Sequence, residues 1–101
     1  MIIVHVTVDS SPEAIETVKD ALATMEAASR AEVGCIDYTF CTEINDPGTA
    51  RLVECWESMD ALMAHFTSPH MAAFQEALKT NPMGEMKLKM FEATETAPPG
   101  A

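Results

Sequence analysis

ARLVECWESMDALMAHFTSPH, residues 50–70, is the stretch from which the fold can be read. Arg51 to Glu57 is short, rich in β-forming residues, and carries the single tryptophan, Trp56, near its end. Ser58 follows as a helix N-cap, because its hydroxyl can accept from a backbone N–H left free in the first turn. Met59, Leu62, Met63 and Phe66 then recur at helical spacing. Ser68-Pro69 restarts the pattern, with Ser as cap and Pro at the first helical position, where its missing N–H costs nothing. His65 and His70 also lie here, so one short segment joins a strand, an indole and two imidazoles.

Upstream, Cys35 to Ile44 alternates Ile36, Tyr38 and Phe40 against Asp37, Thr39 and Glu43, the pattern of a strand with one apolar face. Asn45-Asp46-Pro47-Gly48 is a turn by composition, so this strand and Arg51–Glu57 form a hairpin. Met1 to Val8 is almost continuously apolar and β-branched, which predicts a strand buried on both faces. A helix then runs to about Arg30, before Gly34. It starts either at a Ser10/Glu13 capping box or at Ser11 with Pro12 at the first helical position. Ile15, Val18, Leu22 and Met25 form its apolar stripe. Downstream, Pro69 to about Lys79 is helical, with Met71, Phe74 and Leu78 on one stripe, and Asn81-Pro82 breaks it. Residues 84–93 alternate Met86, Leu88 and Met90 against Lys87 and Lys89, a fourth strand.

The order β-α-β-β-α(α)-β is the ferredoxin-like, split βαβ arrangement: an α+β fold with a four-stranded antiparallel sheet and its helices on one face. The expected organisation is one domain over residues 1–93 and a flexible C-terminal tail over 94–101. Helices on one face leave the other bare, yet the first strand is apolar on both parities. A second copy packed sheet to sheet, making a dimeric α/β barrel, is the expected cover.

Composition bounds the partners. Net charge is −10, with a sequence pI near 4.4, and such a surface repels phosphate backbones and anionic lipid heads. Nucleic acid and membrane surfaces are set aside on that ground, and no apolar run is long enough to span a bilayer. A cytoplasmic location is expected. Cys35, Cys41 and Cys55 are an odd number without CxxC spacing and read as reduced thiols packed as small hydrophobes.

The residues AEVGCIDYTF at 31–40 and VECWESMDALMAHFTSPHMAAF at 53–74 resemble the antibiotic biosynthesis monooxygenase (ABM) family. The shared pattern is G-C-x-x-Y followed by W-x-S-x-x-A-L-x-A-H-x-x-S-P-H. The resemblance implies a small dimeric α+β barrel that oxidises quinol- or polyphenol-type aromatics with O₂ and without metal or organic cofactor. It also leaves open an isomerase of a small polar metabolite, or a dimeric binding module without catalysis. The family's heme-degrading branch is disfavoured. Its first-strand Asn has no counterpart here, and alignment on Trp56 puts its helix Trp at His65 and its final His near Gln75.

Within that frame His65 is the expected general base, Trp56 and Phe66 the walls for a planar substrate, and Tyr38 the orienting hydroxyl. Glu54, on the Trp56 face of its strand, is the alternative base. Each has a structural reading beside the functional one. Trp56 and Tyr38 are also core aromatics, and His65 is also a half-wet histidine at the core boundary. His70, in the first turn of its helix, reads as a neutral histidine with a local hydrogen bond. His5, mid-strand beside Ile3 and Thr7, packs on the dimer face or lines a pocket. A metal site from His5, His65 and His70 has no supporting ligand motif, so none is expected.

Overall fold

In the computed structural model, which describes residues 1–100, the elements are β1 (Ile2–Asp9), α1 (Pro12–Thr17), α2 (Lys19–Arg30), β2 (Cys35–Glu43), β3 (Asp46–Trp56), α3 (Met59–Phe66), α4 (Pro69–Thr80) and β4 (Glu85–Glu92). The strands form one antiparallel sheet in the order β2-β3-β1-β4, which is the ferredoxin-like topology. Residues 94–98 follow β4 without helix or strand.

Alternation along the strands sorts the sheet into two faces. Ile2, Val4 and Val6 of β1 point to the helices and join Tyr38, Leu52 and Trp56 from the neighbouring strands and Met25 and Leu62 from the helices in the core. Register places Tyr38, Glu54, Val4 and Met90 in one row across this face, and Phe40, Leu52, Val6 and Leu88 in the next. The opposite face carries Ile3, His5 and Thr7, with Val53, Cys55 and Phe91 beside them. His5 is exposed there, edge-on to Phe91 at 5.7 Å between ring centroids, so of its two sequence readings it takes the open face.

Local chemistry sets the helix starts. Ser11, Ser58 and Ser68 each hold β-region backbone, and their hydroxyls accept from the N–H groups of Ala14, Ala61 and Met71. The Ser11 register, with Pro12 at the first helical position, is therefore the one used.

Three elements differ from the sequence expectation. The first is β2, where a register shift between Cys35 and Asp37 takes Ile36 off the face of Tyr38 and Phe40 and leaves it 54% exposed. The single helix expected to run to Arg30 is divided at Val18, which leaves helical geometry (φ −104°, ψ 11°) and donates to Ile15 O at 3.2 Å, an i−3 bond. Val18 is β-branched and buried, so tertiary packing draws it inward where helix propensity is weak. The second hairpin strand starts at Asp46, inside the expected turn, which shrinks to Ile44-Asn45. Asp46 secures this end locally: its carboxylate accepts from Gly48 N–H and from the Thr49 hydroxyl.

The helices cover β2, β3 and β1 but stop short of β4. Met86, Leu88 and Met90 lie on the helix-facing side yet remain exposed, Met86 at 62%. All three cysteines are free thiols, but Cys41 is exposed on the edge strand β2 and not packed as expected. For Cys35, burial first, then the Glu32 charge, pushes the thiol up to about 11, which suits a packed thiol rather than a nucleophile.

Candidate active site

A cavity of about 240 Å³ lies between α4 and the sheet. Val6, Phe40, Leu52 and Leu88 form its floor, and Phe66, Met71, Phe74 and Leu78 its roof. Phe40 and Phe74 meet across it with ring centroids 5.9 Å apart. The lining is apolar at most positions. The polar exceptions are Glu54, Tyr38, Arg51 and Gln75. Arg51 is already engaged by Glu43, at 2.7 Å. Such a cavity, with few convergent polar groups, has the composition of a small-molecule site.

Glu54 is the unusual member. It sits in the middle of the sheet beside Tyr38 and is 5% exposed. Its Oε1 accepts from Trp56 Nε1–H at 3.0 Å. Burial pushes its carboxyl above the ordinary range, the Trp56 hydrogen bond pulls it back, and the Glu32 charge pushes it up further. The result is a carboxyl held in one orientation by an indole and more basic than a solvated glutamate. Tyr38, its cross-strand neighbour, is 1% exposed, and burial followed by the Glu54 charge moves its phenol upward. Its hydroxyl therefore keeps its proton and can donate.

Of the residues singled out from sequence, Tyr38, Phe66 and Glu54 line the cavity, and Trp56 and His65 do not. Trp56 is fully buried and forms no wall; it stands behind Glu54 as a hydrogen-bond donor. His65 is not a half-wet boundary residue: its exposure is 0%. Position along α3 alone put it at the helix edge. The loop from α2 to β2 and the first turn of α4 fold over that edge and close it. His65 Nδ1–H donates to Glu32 Oε2 at 2.7 Å, and its ring packs 4.7 Å from Trp56 and 5.3 Å from Tyr38 between centroids. Burial lowers its basicity, against which Glu32 raises it. His70 Nε2 approaches the other oxygen of Glu32 at 3.1 Å but makes no aligned hydrogen bond. The local hydrogen bond expected for His70 is thus replaced by a contact across the fold.

Glu32 has no motif in the sequence. It precedes Gly34, whose positive φ of 86° and 2.6 Å approach of a virtual Cβ to Ala61 Cβ leave room only for glycine. That close approach presses the α2–β2 loop onto α3, and this brings Glu32 to the histidines.

A ferredoxin-like α+β domain with an apolar cavity between helix and sheet, and one carboxyl set into its floor, is the class these features define. The sequence profile of the family described as antibiotic biosynthesis monooxygenase matches residues 1–77, and the chain belongs to that family. The solved structure of a protein from Deinococcus radiodurans named for the same family superposes with a TM-score of 0.87 at 28% identity, covering 97% of each chain. A conserved protein of unknown function from Bacteroides thetaiotaomicron, described as a possible oxidoreductase, superposes with a TM-score of 0.80 at 27% identity, covering 91% of this chain and 96% of that one. An uncharacterised protein of Synechocystis sp. is 29% identical over 68 residues, 67% of this chain and 46% of that protein. The chain thus spans about half the length of that curated relative. No helix among the described residues is long and apolar enough to cross a membrane.

Proposed function

We propose that this chain is a cofactor-independent monooxygenase that oxidises a small electron-rich aromatic, of quinol or polyphenol type, with O₂. The observation that carries the reading is Glu54: a carboxyl of raised basicity in the floor of an apolar cavity, beside a protonated phenol. Family membership supports the same class of reaction.

The chemistry asks for three things. A base must take the proton of a substrate hydroxyl, and Glu54 is the ionisable acid in the cavity lining. An ordinary phenol, with pKa ~10, is a difficult proton even for a raised carboxyl, so the phenolate must be stabilised as it forms. Tyr38 can donate to that oxygen. The resulting anion passes one electron to O₂, the radical pair joins as a peroxide, and loss of water leaves a new carbonyl. For a quinol, quinol plus O₂ gives hydroxyquinone plus water. Apolar walls orient the ring and keep water from the radical pair. Arg51 is committed to Glu43, and the lining is otherwise apolar at most positions. This favours an uncharged aromatic over the small polar metabolite of the isomerase reading.

The same proposal includes a homodimer through the open sheet face, supported by Ile3, Val53 and Phe91 on it. Sedimentation should give twice the 11.0 kDa chain mass. Turnover is tested with a panel of hydroquinones and anthrones in air and under argon. Oxygen uptake matched by quinone formation, absent under argon, is expected. Turnover that persists under argon would identify the isomerase, and tight binding without product the sensing module.

A further inference from the structure

Glu32, His65 and His70 form a cluster that the proposed oxidation does not use. None of them lines the cavity that holds Glu54, although His70 borders a separate cavity between α2 and α4. They come from three separate segments: the loop before β2, the last turn of α3 and the first turn of α4. One ligand atom from each lies within 4.8 Å of the others. We propose that these three residues bind a divalent first-row cation, of which Zn²⁺ fits best, in a site that clasps the α3–α4 corner to the α2–β2 loop.

The donor set is two imidazoles and one carboxylate, a composition that zinc accepts with a solvent molecule as fourth ligand. Four-coordinate zinc with bonds of about 2.0–2.1 Å holds its ligand atoms roughly 3.3–3.4 Å apart. The two histidine nitrogens approach different oxygens of Glu32, at 2.7 and 3.1 Å, and one ligand atom from each residue lies within 4.8 Å of the others, so the three draw together to reach that spacing. The remaining adjustment is side-chain rotation of Glu32 and His70, both of which keep some exposure, 18% and 22%.

Two features point to a ligand beyond the histidine–carboxylate contacts themselves. His70 Nε2 is buried and has no hydrogen-bond partner, although it is 3.1 Å from Glu32 Oε1. An orphaned buried nitrogen is costly unless something takes its lone pair or its proton. His65 is wholly buried and its position is fixed by the rings of Trp56 and Tyr38, so its Nδ1 cannot turn away from the cluster. Binding takes the His65 tautomer protonated at Nε2, a nitrogen that is buried without a hydrogen-bond partner. Nδ1 then gives its lone pair to the cation, and the hydrogen bond to Glu32 is replaced by two metal bonds. The cation would then hold His65 rigid behind Tyr38 without touching substrate.

The test uses the full chain without an affinity tag, stripped with chelator and titrated with Zn²⁺. Calorimetry should show one strong site per chain, and imidazole NMR signals of His65 and His70 should shift while those of His5 do not. A metal held at roughly 100 times its dissociation constant should raise Tm by about 10 °C or more. Glu32→Gln and His70→Gln, which alter partly exposed side chains and leave the buried imidazole in place, should each weaken binding at least roughly tenfold, as loss of a ligand exceeds loss of an outer-shell partner. Unchanged affinity in both variants, shifts at His5 instead, or no strong site in the wild type would overturn the proposal. Oxidation need not be measured, so the outcome is independent of the reaction.

Discussion

Glu54 and Glu32 are two carboxylates on either side of the same aromatic layer, and they differ in what claims their oxygens. Glu54 has one oxygen tied to the Trp56 indole, and its side chain opens on a cavity. Glu32 has both oxygens facing histidines, one at 2.7 Å and one at 3.1 Å, and is not in the lining of that cavity. Both feel the core: the Glu32 charge is one of the causes that raise Glu54. The contrast teaches where to look for chemistry. A buried acid with a lone pair directed into a ligand-sized space can exchange a proton with a substrate. An acid whose oxygens are both turned to side chains holds elements together.

The sharpest way to break this distinction is Glu54→Gln. The amide keeps the shape and can still accept from Trp56 Nε1–H, but it takes no proton. We expect kcat to fall roughly 10²–10⁴-fold, as for a positioned base, with the fold intact. Steady-state oxygen uptake and circular dichroism on the same sample decide it. Retained turnover would move the base elsewhere, and His65 would be the next to change.

His65→Ala should act on the other side of the comparison. It removes a fully buried ring packed between Trp56 and Tyr38 and strands Glu32, so a loss of about 2–4 kcal/mol in stability is expected. Urea unfolding measures it. If the variant melts like the wild type yet is inactive, the imidazole belongs to the reaction and not to the scaffold.

A smaller effect is predicted for the pH dependence of stability. The folded-state pKa of Glu54 is raised by burial above the unfolded value, so folding favours its protonated form. That contribution is fully present below the unfolded value near 4.3 and is lost as pH rises through the raised folded value. The wild type should match Glu54→Gln most closely in acid and fall behind it as pH rises. Denaturant midpoints for both proteins across this range test the sign, and a gap that narrows with rising pH would contradict it. The smallest expected change is His70→Ala, about 1 kcal/mol, because its contact with Glu32 is unaligned and its side chain partly exposed.

Much of this protein follows from contacts a few residues long. The serine caps at 11, 58 and 68 each bond an N–H three residues on, and strand alternation put Tyr38 and Glu54 on the helix-facing side with Trp56. Those interactions have a fixed sequence spacing, so the residues themselves determined the element order, the ferredoxin-like topology and the face on which the cavity lies. The family signature at 31–40 and 53–74 rests on the same local patterns. What only the tertiary structure decided are matters of separation and cover. Glu32 lies 33 residues from His65, and no periodicity links them until Gly34 lets the loop press on α3. Burial of His65 depends on segments that fold over it, not on its place in its own helix. Trp56 turned from pocket wall to partner of Glu54 for a similar reason. A side chain's face is set by local geometry, but what lies in front of it is set by how distant segments pack.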